Sequence, residues 1–180
     1  PVAEHTVALL LALVRRIVIG DRNIRGGLWA EPADLPGPEL RARTLGIVGF
    51  GNTGKRVAEI ARLGFRMEVV YFDLRAAPEE EARLGVRRAV SLEDLLAASD
   101  FVCVHVDLNA STRGLINEEA FRAMKPTAYF VNISRGGVVD EDVLLRALEE
   151  GWTAGAGLDV FGAEPPATDH PFWRLDNVVL

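Results

Sequence analysis

From Thr44 onward, short apolar runs alternate with stretches of helical periodicity, and this alternation limits the fold more than any other feature. LGIVG, MEVVYFD, FVCVHV, AYFVNI, AGAGLDV and NVVL read as strands. Helical patterns occupy 53–63, 92–97, 118–124 and 141–150. Strands that are apolar on both faces must be covered on both sides, and strands separated by helices pair in parallel. The expected fold is therefore α/β, a doubly wound parallel sheet with helices on both faces. Ser91, with Asp94 three residues later, reads as a helix start, as does Asp140; Gly151 reads as a stop.

Ahead of this core, 2–25 reads as one helix. Val7, Leu10, Leu11, Val14, Ile17 and Val18 recur at the spacing of one helical face, and Leu9 and Leu13 widen it. That width predicts burial against something besides the domain itself. GGLWAEPADLPGPELRA has the glycine and proline density of a loop. Residues 1–180 are thus expected to form a single domain, with 1–43 as an inter-domain or dimer segment and 44–180 as the core.

The net charge of −6 argues against a nucleic-acid partner, which needs clustered Lys and Arg. The longest apolar run, 7–14, is too short to span a membrane, which takes about 20 residues. The single cysteine, Cys103, excludes an internal disulfide and a thiolate zinc site. Within FVCVHV it reads as inert core, in keeping with a reducing cytoplasm. No metal site is expected. The chain begins at Pro1 and stops within the strand-like NVVL, which predicts that the natural chain continues.

The glycines of TLGIVGFGNTGKRVAEIARLG follow a strand and open a helix, the context that dinucleotide binding requires. Gly49 permits a tight turn, Gly51 lets the backbone approach a pyrophosphate, and Gly54 lets helix pack on strand. Asn52 and Thr53 offer backbone N–H groups at the helix start. Asp73 ends the next strand, where a carboxylate accepts both adenosine ribose hydroxyls. Its charge repels a 2′-phosphate, favouring NAD over NADP, though Arg75 tempers the preference. A Rossmann-type fold binding NAD follows. Methyltransferases that use S-adenosylmethionine also combine a glycine loop with an acidic residue, so the second half of the sheet must decide.

There, VNISRGGVVDEDVLLRALEEG (131–151) followed by AGAGLDVFGAEPP (154–166) resembles the D-isomer-specific 2-hydroxyacid dehydrogenases. VAEHTVALLLAL, TLGIVGFGNTG, STRGLI, MKP and DHPFWRLDNVVL extend the resemblance over essentially the whole chain, as the NAD-binding domain. It implies that Arg135 grips the substrate carboxylate and 2-oxo group, a task that suits a guanidinium fork. It also implies that Glu164 pairs with a catalytic histidine and that Asp159 holds the nicotinamide carboxamide. Ile133 and Ser134 would line that pocket, with Thr112 and the backbone of Val106 on the cofactor's other side. The family's histidine follows the strand that NVVL begins, so it and the substrate domain are expected outside these residues.

His5, His105 and His170 are expected to be structural. The family commonly has proline at the position of Asp107 and often threonine at that of Asn109; Asp107 puts a carboxylate near the expected adenine pocket. The implied activity is hydride transfer between NAD(H) and a small D-2-hydroxy acid or 2-oxo acid, by a cytoplasmic homodimer. A non-enzymatic NAD(H)-sensing protein of the corepressor type is the alternative; Arg135 and Glu164 favour the enzyme.

Overall fold

A strand with two apolar faces satisfies its backbone by pairing with neighbours and its side chains by being covered above and below. The computed structural model, which describes residues 1–29 and 37–180, realises this throughout. In chain order the elements are α1 (Val2–Val14), α2 (Ile17–Arg25), β1 (Thr44–Val48), α3 (Asn52–Glu59), β2 (Glu68–Phe72), α4 (Pro78–Leu84) and β3 (Arg87–Arg88). There follow α5 (Leu92–Ala98), β4 (Phe101–Val104), α6 (Glu118–Ala123), β5 (Tyr129–Asn132), α7 (Glu141–Glu149), β6 (Gly155–Leu158) and β7 (Val178–Val179). The seven strands are all parallel, in the order β3-β2-β1-β4-β5-β6-β7. The chain winds outward from β1 to β3, returns beside β1 as β4, and winds outward again. A crevice therefore opens at the carboxyl ends of β1 and β4, where such sheets bind ligands.

The alternation of side chains along each strand supplies two cores. Val102 and Val104 point to the face covered by α5, α6 and α7, with Phe121, Phe130 and Leu144. Phe101 and Cys103 point to the other, with Leu10 and Val14 of α1 and Val57 and Ala58 of α3. The predicted helix starts hold: Ser91 Oγ accepts from Asp94 N–H, and Asp140 Oδ1 from Val143 N–H. Gly151 takes the left-handed conformation that ends the segment after α7.

The reading of 2–25 as one helix is corrected. Arg16 adopts φ 51°, so the helix breaks and restarts at Ile17. The apolar spacing continues across the break, but the direction does not. Leu9, Leu10, Leu13 and Val14 are buried against the sheet, whereas Ile17 and Val18 are 55% and 50% exposed. The helix predicted at 53–63 is α3 followed by a π turn, Ile60–Gly64. Of the loop predicted from 26 to 42, residues 30–36 lie outside the described residues.

Candidate active site

The segments that leave the carboxyl ends of β1, β2, β4, β5 and β6 carry the residues expected to hold cofactor and substrate. After β1 the chain turns at Gly49, whose φ of 94° and close approach to the His105 backbone, 2.8 Å from an added Cβ, leave room for no side chain. A Cβ at Gly54 would lie 2.3 Å from the Gly49 carbonyl oxygen, so the third glycine sets how tightly α3 sits on its loop. A Cβ at Gly51 would meet nothing within 4 Å. Gly51 is the residue before α3, and no side chain caps that helix. By contrast Ser91, Asn117 and Asp140 cap α5, α6 and α7. First-turn N–H groups with no side-chain cap, including those of Asn52 and Thr53, beside unfilled space fit a diphosphate.

Asp73 is bound to this loop. Its Oδ2 accepts the Phe50 N–H at 2.7 Å and its Oδ1 the Arg75 N–H at 2.9 Å. Arg88 donates to the backbone carbonyls of Asp73 and Leu74 from the other side. Each carboxylate oxygen retains a lone pair for a ribose hydroxyl. The glycine loop and the acidic strand end are one unit.

Across the crevice, the chain leaves β4 through His105 and Val106. Burial pushes the His105 imidazole down to about 4, and its Nε2 has no partner among the described residues. It is neutral at neutral pH, which suits a structural role. Burial likewise pushes the Cys103 thiol up, leaving it inert. Thr112 is engaged within its own turn: its hydroxyl donates to the Asp107 carbonyl at 2.6 Å and accepts from the Asn109 N–H at 2.8 Å. Asp107 itself is exposed.

The other end of the site is assembled around Asn132, a buried polar residue that the sequence reading missed. Its Oδ1 accepts from the Ser134 N–H and hydroxyl at 3.0 and 2.9 Å, and its Nδ2 donates to the Arg135 carbonyl at 3.1 Å. Its own carbonyl accepts the Asp159 N–H at 3.0 Å. An Asn at a strand end with Ser two residues on is a recognisable side-chain turn, so the signal was present. Ile133 is buried in this turn, and Arg135 is exposed at its tip.

A Cβ at Gly136 would fall 1.9 Å from the Phe161 carbonyl carbon, so the Arg135 turn docks backbone to backbone on the loop after β6. Glu141, also missed, holds that loop by accepting the Gly162 N–H at 2.7 Å. Glu164, exposed, accepts the Phe161 N–H at 3.0 Å. His170 packs its ring among Phe161, Phe172 and Trp173 beneath the same loop. Arg135 and Glu164 are thus carried by segments in direct contact. Asp159 meets an unforeseen neighbour, His5 of α1, at 3.1 Å.

Among the described residues no cluster could hold a metal ion, and no helix is long and apolar enough to cross a membrane. The chain is 47% identical over 183 residues to the glyoxylate reductase of Thermofilum pendens, covering 99% of this chain and 53% of that protein. It therefore spans about half the length of the curated relatives it matches. Among solved structures, the TT0316 protein of Thermus thermophilus superposes with a TM-score of 0.91 at 42% identity, over 99% of this chain and 55% of that one. An acyclic imino acid reductase in complex with NADPH and D-Arg superposes with a TM-score of 0.88 at 35% identity, over 99% and 55%. Residues 7–180 match the family model for the NAD-binding domain of the D-isomer-specific 2-hydroxyacid dehydrogenases. That match covers the crevice and both ends of the site, and it makes the chain a member of that family, as its NAD-binding domain.

Proposed function

We propose that the whole protein is an NAD-dependent dehydrogenase that interconverts a D-2-hydroxy acid and its 2-oxo acid, glyoxylate being the first candidate. The observation that carries this reading is the exposed Arg135 guanidinium on the same carboxyl edge as the open space at Gly51. When bound, NAD(H) supplies or accepts the hydride. The α3 start and Gly51 hold its diphosphate, Asp73 its adenosine ribose, and Asp159 with Ile133 and Ser134 its nicotinamide. Val106 and Thr112 flank the other side.

Arg135 grips the substrate carboxylate and draws charge onto the 2-oxo group, which orients the carbonyl carbon for attack. Glu164 accepts a hydrogen bond from the proton-carrying histidine and steadies its charge. We do not assign that role to His5, His105 or His170: His5 is hydrogen-bonded to Asp159, His105 is largely buried and neutral, and His170 is packed among rings. The proton donor and the substrate-binding domain come from residues outside this chain. Residues 1–29 bring exposed Ile17, Val18, Ile24, Leu28 and Trp29 to one end of the chain, which supports burial against a second domain or a second copy in a homodimer. The lone buried cysteine suits a cytoplasmic setting.

Arg135→Lys keeps the charge and loses the fork. In the whole enzyme it should lower kcat/KM for glyoxylate by about tenfold or more and leave NADH affinity unchanged. An unchanged kcat/KM would reduce Arg135 to a loop residue. Absence of turnover with any 2-oxo acid would favour the NAD(H)-sensing alternative.

A further inference from the structure

We propose that His5 is a positioning residue for the nicotinamide end of the site, acting through Asp159. The inference rests on the reading above that Asp159 receives the nicotinamide carboxamide.

α1 lies along β6 in matched register. A Cβ on Gly155 would be 3.2 Å from Leu13 Cδ1, and one on Gly157 would be 3.3 Å from Leu9 Cβ. One step further along both elements, His5 Nε2 stands 3.1 Å from Asp159 Oδ1. Four helical residues advance about 6 Å and two strand residues about 6.6 Å. The same spacing therefore carries through three successive meetings. Two of the three strand positions are glycine, which lets the helix lie close. The third, at the carboxyl edge, is filled by a hydrogen-bonded pair instead of an apolar contact.

An ionised carboxylate only accepts, so the Nε2 of His5 carries the proton and donates to Oδ1. The Asp159 backbone is already fixed by its N–H to Asn132. With Oδ1 engaged, Oδ2 is the oxygen left to accept the amide N–H of a carboxamide. Asp159 is half-exposed, and the His5 bond is the contact that selects its rotamer. Since His5 is half-exposed too, the expected effect is modest.

The test uses NADH and ADP-ribose, which share the adenosine and diphosphate but differ in the nicotinamide, titrated by calorimetry into wild type, His5→Leu, His5→Gln and Asp159→Ala. His5→Leu should weaken NADH about two- to fivefold and leave ADP-ribose unchanged. His5→Gln, whose amide N–H reaches a comparable distance, should restore NADH affinity. Equal changes in both ligands, or none in either, for His5→Leu would overturn the inference. If Asp159→Ala lowers NADH affinity selectively while His5→Leu does not, His5 alone is wrongly assigned. If Asp159→Ala leaves the ratio of the two affinities unchanged, the reading of Asp159 fails and the inference goes with it.

Discussion

The glycine loop and Asp73, which we assign to the adenosine half of the site, come from one continuous stretch, whereas the residues we assign to the nicotinamide half are gathered from segments far apart in the chain. Gly49, Gly51, Gly54 and Asp73 lie on a single strand–helix–strand unit, locked by the Phe50 N–H to Asp73. Asp159, Arg135 and Glu164 depend on Asn132, on Gly136 meeting Phe161, on Glu141 reaching Gly162, and on a helix from the start of the chain. A local unit stores its geometry in residue spacing. A dispersed one stores it in docking surfaces, so its ligand geometry and the stability of the fold are coupled.

That contrast is sharpest at the glycines. Gly136→Ala forces a Cβ to within 1.9 Å of the Phe161 backbone, where neither side is a flexible side chain. It should destabilise the protein by about 3 kcal/mol or more, measured by urea unfolding, because the turn and the loop must part. A variant as stable as wild type would mean the two segments are not rigidly docked.

Beneath the glycine loop, His105 gives the fold an acid sensitivity. Its folded value of about 4 lies below the ordinary value of 6.5, so the unfolded chain takes up the proton first. The contribution is fully present above about pH 6.5 and is lost as pH falls toward 4, by up to about 3 kcal/mol. His105→Leu removes the proton-binding group, so urea unfolding from pH 7.5 to 4.5 should show a shallower decline than in wild type. Parallel declines would place His105 in a solvated setting.

The smallest stability effect belongs to Gly51. Its φ of −74° suits alanine, and an added Cβ meets no protein atom. Gly51→Ala should change stability by less than about 0.5 kcal/mol while weakening NADH about tenfold, because the methyl group occupies the diphosphate's approach. Unchanged NADH affinity would move the diphosphate away from this loop.

The same distinction explains what could be read from the sequence. The strands, the helix caps at Ser91 and Asp140, the glycine loop and Asp73 are all encoded within a few residues of themselves. α4 escaped because PEEEARL buries only Leu84, leaving little apolar periodicity. β3 escaped because it is two exposed arginines at the sheet edge. The break at Arg16 was hidden because the apolar spacing runs on while the backbone turns through a left-handed residue. The resemblance singled out Arg135, Glu164 and Asp159, yet nothing near Asp159 in sequence announces His5. Their meeting is a product of the α1–β6 packing alone.

We propose that this crevice binds NAD(H) with Asp73 setting the preference over NADP(H). A structural relative is in complex with NADPH on the same fold, so the fold alone does not set a preference, and we assign it to the side chains at the end of β2. Asp73→Asn keeps an acceptor for the Phe50 N–H and removes the charge. Calorimetric titration of NADH and NADPH should show wild type favouring NADH by about tenfold or more, from the repulsion between carboxylate and 2′-phosphate, with the variant narrowing that gap. Equal affinities in wild type, unchanged by the substitution, would contradict the account.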